Sequence, residues 1–323
     1  MKKILIIRFS SIGDIVLTTP VVRCLKQQVS DVQLHYVTKA VFADILKHNP
    51  FIDKLHTFKN DISEISDALA AVKFDLVIDL HKNLRSARLK RILGVKSFSF
   101  NKINTQKFFA VNFKALRLLP PVHVVDRYFE TVAPLGVSSD EKGLDYFISE
   151  ADTISVPQHY FHGAAQPFIA LVVGGSYFTK QIPVNKLSEI CEKAAMPVLL
   201  LGSAADTKIA SQLMSQFPDL INTCGTLSIN QSASVISQAA WVITSDTGLM
   251  HIASAYNRKI ISLWGNTIPE FGMSPYMPHP ENMILEVKDL KCRPCSKLGY
   301  HQCPRRHFEC MNKIDLDLVK DLR

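Results

Sequence analysis

Residues 241–266, WVITSDTGLMHIASAYNRKIISLWGN, read as strand, tight turn, helix and strand. Trp241 to Thr244 is a short apolar, β-branched run, and Lys259 to Trp264 is the next buried strand. Between them, Ser245, Asp246, Thr247 and Gly248 are residue types that turn a chain and cap a helix, and Leu249 to Tyr256 continues with helical spacing. In an open α/β sheet such a turn lies at the carboxyl end of a strand, where ligands bind. The helix beyond it aims unpaired N–H groups and a positive dipole end at the same place, so a phosphate-bearing ligand is the natural occupant.

The same alternation runs outward from this stretch. Strand-like runs at Lys3 to Arg8, Val32 to Val37, Lys54 to Phe58, Leu76 to Leu80 and Ser97 to Phe100 have helical patterns between them, the first of these a helix from Asp14 to Gln28. Between Val137 and Pro167 the pattern breaks into turn and loop compositions, with an extended piece at Leu144 to Ile148. A second series follows: strand Phe168 to Val173, helix Val184 to Lys193, strand Val198 to Leu201, helices Asp206 to Phe217 and Ser228 to Gln238, and the 241–266 unit. The C-terminal IDLDLVKDLR reads as a last helix. The sequence predicts an α/β protein of two Rossmann-like domains with parallel sheets, divided at 155/156, the second carrying a Cys-rich segment at 292–310.

At 323 residues the chain is long enough for two cores, and 47% hydrophobic with 20% charged residues is the balance of a globular protein. No apolar run approaches the roughly 20 residues that span a bilayer. Arg8 follows ILII too soon for a signal-peptide core, so a cytoplasmic protein is expected. The net charge of +8 is unevenly placed: from Leu80 to Val125 there are ten Lys and Arg and no Asp or Glu. Phe98, Phe100, Phe108, Phe109 and Phe113 are interleaved with those charges, a composition suited either to a solvated basic face or to anionic lipid headgroups or a phosphorylated glycolipid. No zinc finger, RNA-recognition signature or basic zipper points to nucleic acid.

Cys24, Cys191 and Cys224 read as buried small hydrophobes. Cys292, Cys295, Cys303 and Cys310 crowd into nineteen residues with His301 and His307 among them. In a reducing compartment such a cluster binds metal more often than it forms disulfides, and four thiolates complete a tetrahedron around structural zinc. Reduced thiols packing a loop are the other reading.

Asp14 opens a helix, as a cap would, or stands at a cleft as a general base. No G-x-G-x-x-G follows the first strand, which argues against a nicotinamide cofactor there. Two motifs then carry a resemblance. Asp246-Thr247-Gly248-Leu249-Met250-His251 with Ala253, and Arg8-x4-Gly13-Asp14 with Thr19-Pro20, lie in order and more than two hundred residues apart. Together they resemble family 9 glycosyltransferases, the heptosyltransferases of lipopolysaccharide core assembly.

The resemblance implies the GT-B architecture, with two Rossmann-like domains facing a central cleft, and inverting transfer without a catalytic metal. It implies Asp14 as the base that deprotonates the acceptor. It further implies a donor, ADP-heptose, whose diphosphate meets the segment Gly174-Gly175-Ser176 through Lys180, here with Gln181-Ile182 where Arg-Trp is usual. On the residues' own chemistry, Thr247 and Gly248 offer backbone N–H groups to a diphosphate, Asp246 suits ribose, sugar hydroxyls or capping, and His251 lies one turn further along the helix. The resemblance also implies an adenine pocket, of which Leu201-Gly202-Ser203 is a candidate edge. With the acceptor that the resemblance implies, a lipid A-Kdo inner core at the inner-membrane surface, Lys82 and Arg85 are the candidate binders of its carboxylates or phosphates. Two rivals stay open: a GT-B enzyme of another kind, such as a sugar-nucleotide epimerase, and a non-catalytic protein that binds anionic membrane or nucleic acid through its basic face.

Overall fold

The computed structural model describes residues 1–322. They gather into two compact units, one of Met1–Ile103 with Val122–Phe147 and one of Asn104–Pro121 with the chain from Ile148 onward. The first holds a parallel sheet of β1 (Lys2–Ile7), β2 (Val32–Lys39), β3 (Lys54–Phe58), β4 (Leu76–Asp79) and β5 (Ser97–Ser99), in the order β3-β2-β1-β4-β5. β1 is its centre, with Ile4 opposite Leu34 on one side and Leu76 on the other, and Ile4 to Ile7 are fully buried. Burial on both faces explains the unbroken apolar run where a half-exposed strand would alternate.

The second unit repeats the plan with β6 (Ile169–Val172), β7 (Val198–Leu201), β8 (Ile221–Asn222), β9 (Trp241–Ser245), β10 (Lys259–Trp264) and β11 (Met283–Glu286), ordered β11-β10-β9-β6-β7-β8 and again parallel. In each sheet the strand order reverses once along the chain, between β1 and β4 and between β6 and β9. At such a reversal the connections leave in opposite directions and open a crevice at the carboxyl ends of the two strands.

Several details depart from the sequence reading. The helix expected over 14–28 is two, Ile12–Val16 and Thr19–Gln28. Pro20 has no N–H to donate and its ring crowds the carbonyl of Val16, so the second helix restarts just ahead of it. The last helix is a 3₁₀ turn, Asp317–Asp321. The buried Val319 within it and Leu316 and Leu322 flanking it recur every third position, the period of that tighter helix. Arg323 lies outside the described residues. Leu144 to Ile148 forms no strand, and β8 and β11, both short, complete the second sheet.

The two units do not divide at 155/156. Residues 152–154 are tied to the helix Ile229–Gln238, through Asn230 Nδ2 to Asp152 Oδ2 (3.2 Å) and Ile154 N to Ser234 Oγ (2.9 Å), which draws the chain from Ile148 into the second unit. Segment 104–121 joins it as well, because Lys114 Nζ donates to the carbonyls of Cys292 (3.2 Å) and Pro294 (2.7 Å). In the first unit the buried Arg23 holds residues 140–145 against the helix Thr19–Gln28, with two bonds of 2.8 Å to Asp140, one of 2.9 Å to the Gly143 carbonyl, and an ion pair to Asp145. Three acceptors around one buried guanidinium satisfy its planar fork and keep its charge from being stranded.

Candidate active site

The loop after β1 carries Arg8 and Asp14 to the reversal point of the first sheet. Arg8 is buried and anchored: Nη1 donates to the Leu80 carbonyl (2.5 Å) and the Tyr128 hydroxyl (3.2 Å), and Nε to the Ser10 carbonyl (2.8 Å). Its remaining nitrogen, Nη2, lies 2.6 Å from Asp14 Oδ1. Burial is the largest single influence and pulls this guanidinium down, but the Asp14 charge and hydrogen bond together with Tyr128 and Tyr36 outweigh it, and Arg8 sits above its ordinary value. Asp14 Oδ2 accepts from the backbone N–H (3.2 Å) and hydroxyl (2.8 Å) of Ser11. The side chain of Asp14 keeps 26% of its exposure against 9% for that of Arg8, so the carboxylate is the accessible member of the pair.

Across the same reversal, β4 ends in the fully buried Asp79. Asp79 accepts from the N–H groups of His81 (3.0 Å) and Lys82 (2.7 Å) and from Ser86 Oγ (2.9 Å), and pairs with Lys90 Nζ at 3.0 Å. It thereby fixes the 80–86 turn, in which Lys82 holds a left-handed φ of 48° and stands exposed, with Arg85 half-buried at the start of the helix Leu84–Leu93. Asn83 caps that helix by accepting from Ser86 N. His81 is buried with its ring 4.9 Å from Phe9, and burial, with the Arg8 and Lys102 charges behind it, lowers its pKa to about 3.

In the second unit, Lys180 Nζ stands 2.6 Å from Asp246 Oδ2, joining the segment after β6 to the turn after β9. Thr267 Oγ1, from the loop beyond β10, donates to the same carboxylate oxygen at 3.0 Å. Thr247 begins the helix Gly248–Ala255 without a side-chain cap; its hydroxyl meets Thr244 Oγ1 at 3.0 Å instead. That leaves the first-turn N–H groups of the helix to a ligand or water. Gly175 is half-buried, its carbonyl accepting from Gln181 Nε2 at 2.9 Å, and Ser176 is exposed. His251 is buried within the helix.

Glycine lets the strand ends crowd together here. A Cβ on Gly174 would lie 2.3 Å from Asp206 Oδ2, whose carboxylate holds the N–H (2.8 Å) and hydroxyl (2.7 Å) of Ser203.

Three contributors to these networks escaped the sequence reading as individual residues: Thr267, Asp206 and Arg293. Arg293, between Cys292 and Cys295, donates to the carbonyls of Gly265 (2.7 Å) and Thr267 (3.0 Å) and pairs with Glu286 at 2.5 Å. The Cys-rich segment also braces the Lys180 loop, since Thr179 N donates to the Tyr300 carbonyl (3.2 Å) and Tyr300 N to Thr179 Oγ1 (2.8 Å). Its thiols are close enough for their charges to interact: burial, then Cys295, Cys303 and Cys292, push Cys310 up to about 12. Cys292 Sγ lies 3.8 Å from His307 Nε2. Among the described residues, no three His, Cys, Asp or Glu side chains converge on a metal position.

Known proteins share this fold over most of the chain. Lipopolysaccharide heptosyltransferase 1 of Campylobacter coli is 28% identical over 291 residues, which is 82% of this chain and 84% of that protein. A family 9 glycosyltransferase from Veillonella parvula superposes with a TM-score of 0.76 at 22% identity, covering 90% of this chain and 88% of the other. The ADP-heptose LPS heptosyltransferase II of E. coli superposes with a TM-score of 0.68 at 20% identity, covering 97% and 98%. The model of glycosyltransferase family 9 (heptosyltransferase) matches residues 62–301. With that match over most of its length and a GT-B fold, the chain belongs to glycosyltransferase family 9 and is a glycosyltransferase.

Proposed function

We propose that this enzyme transfers heptose from ADP-heptose to a phosphorylated glycolipid, the inner core of a lipopolysaccharide, with inversion at the anomeric carbon. The observation that carries the reading is the Lys180–Asp246–Thr267 cluster beside an uncapped helix N-terminus at the reversal point of the second sheet. It offers one exchangeable cation and several backbone donors, the equipment for a nucleoside diphosphate whose negative charge grows as it leaves. Relatives named as a lipopolysaccharide heptosyltransferase and an ADP-heptose LPS heptosyltransferase support heptose as the sugar and lipopolysaccharide as the acceptor.

In this mechanism the diphosphate takes the place of Asp246 on Lys180, and the N–H groups of Gly248 and its neighbours bind phosphate oxygens. Asp14 accepts the proton of the acceptor hydroxyl, whose oxygen forms the new bond to the anomeric carbon. The bond from that carbon to the phosphate oxygen breaks, and its electron pair leaves with ADP. A single displacement of this kind inverts configuration. Arg8 acts by holding Asp14 ionised and aimed, since a carboxylate that already carried a proton could not take another. Lys82 and Arg85 bind acceptor carboxylates or phosphates. The reaction needs no catalytic metal, because Lys180 and the helix terminus neutralise the leaving group.

Calorimetry with ADP, UDP, GDP and ADP-heptose tests the donor. Selective ADP binding that weakens in Lys180→Ala supports the reading; selective UDP or GDP binding discards heptose, and donor turnover without any acceptor points to an epimerase. For Cys292, Cys295, Cys303 and Cys310 we propose a structural metal on donor chemistry alone, zinc first. Elemental analysis of protein made in zinc-supplemented cells should then find one metal per chain, and metal-free, fully active protein ends that proposal.

A further inference from the structure

The helix Asn104–Phe113 buries only Ala110 among its ten residues. Phe108 and Phe113 are 56% and 66% exposed, and with Phe109 they form a ring cluster with centroids 5.6–6.2 Å apart. Leu116 and Leu118 continue the apolar surface just beyond the helix. Five large apolar side chains left to water within eleven residues mark a contact surface. Over 104–121 the only charges are Lys107, Lys114 and Arg117.

Tertiary structure adds to this surface a segment that the sequence keeps far away. Lys114 bonds to the carbonyls of Cys292 and Pro294, and Arg305 lies near enough for its charge to act on Lys114. From Leu290 to Phe308 the chain again has no Asp or Glu, and Lys291, Lys297, Arg305 and Arg306 are exposed. Leu298 is exposed there as well. Two acid-free basic segments, one bearing the Phe cluster, are thus bonded together within one unit.

We propose that this composite surface, the Phe108–Leu118 stretch with the 290–308 segment, docks the enzyme on an anionic lipid bilayer. Aromatic rings and leucines enter the headgroup boundary while the flanking cations meet lipid phosphates. Charge complementarity decides between occupants: a second copy would bring two acid-free basic faces together, whereas an anionic leaflet neutralises them. This extends the proposed function, whose acceptor is anchored in lipid, by naming the surface that brings the enzyme to it.

The test uses the full chain with neither sugar donor nor acceptor, so its outcome is independent of the transferase reading. Wild type should sediment with vesicles of phosphatidylcholine containing about one third phosphatidylglycerol, and bind pure phosphatidylcholine at least about tenfold more weakly. The double variant Phe108→Ser/Phe113→Ser, altered only at exposed positions, should lose about tenfold or more in partitioning while binding ADP like wild type. A Phe113→Trp variant should shift its emission to the blue on anionic vesicles and be quenched by brominated lipid. Equal partitioning of wild type and the serine variant, or an emission from the Phe113→Trp variant that vesicles leave unshifted, overturns the proposal. So does a wild-type dimer that the serine variant disperses, which would assign the patch to a second copy. Vesicle binding in a protein that binds no nucleotide would leave the docking surface standing and remove the proposed donor.

Discussion

Each sheet ends in a carboxylate paired with a cation at 2.6 Å, but the two pairs are built in opposite senses. In the first unit the cation is the fixture: Arg8 is sunk between the Leu80 carbonyl and Tyr128, and Asp14 is the more exposed partner, 26% against 9%. In the second unit the carboxylate is the fixture: Asp246 is held by Thr267, and Lys180 is the more exposed, 18% against 10%. The buried member positions, and the exposed member can exchange its partner for a ligand. In the proposed mechanism one unit thus presents a base and the other a cation to a diphosphate donor.

The sharpest way to break this comparison is at Asp14. Asp14→Asn keeps the shape and removes the base, so kcat should fall by about 10²–10⁴-fold with donor affinity unchanged. Equal losses in donor binding would show that the two pairs are not separate in role. Lys180→Ala should act on the other side, lowering kcat/KM by about 10²-fold and weakening ADP in the same titration.

Thr267→Val leaves the Lys180–Asp246 pair in place but releases Asp246 from its anchor. We expect a rise of about tenfold in donor KM with kcat nearly unchanged, because a hydrogen bond to a carboxylate is worth about 1.5 kcal/mol. A larger loss than in Lys180→Ala would make Asp246, and not the lysine, the group that matters.

The smallest effect is on stability. His81, lowered to about 3 by burial with Arg8 and Lys102 behind it and Asp79 and Asp14 opposing, is neutral in the folded protein. Unfolded, it takes a proton below its ordinary value of 6.5. Between those limits the unfolded state binds more protons, so stability falls as pH drops, by at most about 1.4 kcal/mol per pH unit for this group. His81→Gln should flatten the decline of Tm from pH 7 to pH 5, leaving the part due to His56, which burial and His35 lower to about 4. An unchanged slope would place the acid sensitivity elsewhere.

Much of this was legible in local sequence. Lys3 to Arg8, Val198 to Leu201 and Trp241 to Thr244 are short, apolar and β-branched or aliphatic, and buried parallel strands have that composition wherever they occur in a sheet. The Ser245–Gly248 turn announced a helix start by its residue types, although Thr247 makes no side-chain cap in the structure. Helix ends were harder. The break before Thr19 follows from Pro20 and one carbonyl, but the 3₁₀ turn Asp317–Asp321 follows from a face of neighbours that the sequence does not display.

Sequence alone determined the two series of βαβ units, the acid-free stretch from Leu80 to Val125 and the motifs that mark the family. These depend on residue type and spacing over a few turns of chain. Strand order, the burial of Arg8 beneath Asp14, the meeting of Lys180 with Asp246 and of Lys114 with Cys292 belong to the tertiary structure. A charge shows its sign in the sequence, but its partner, its exposure and hence its task depend on which distant backbone and side chains the packed sheets bring within about 3 Å of it.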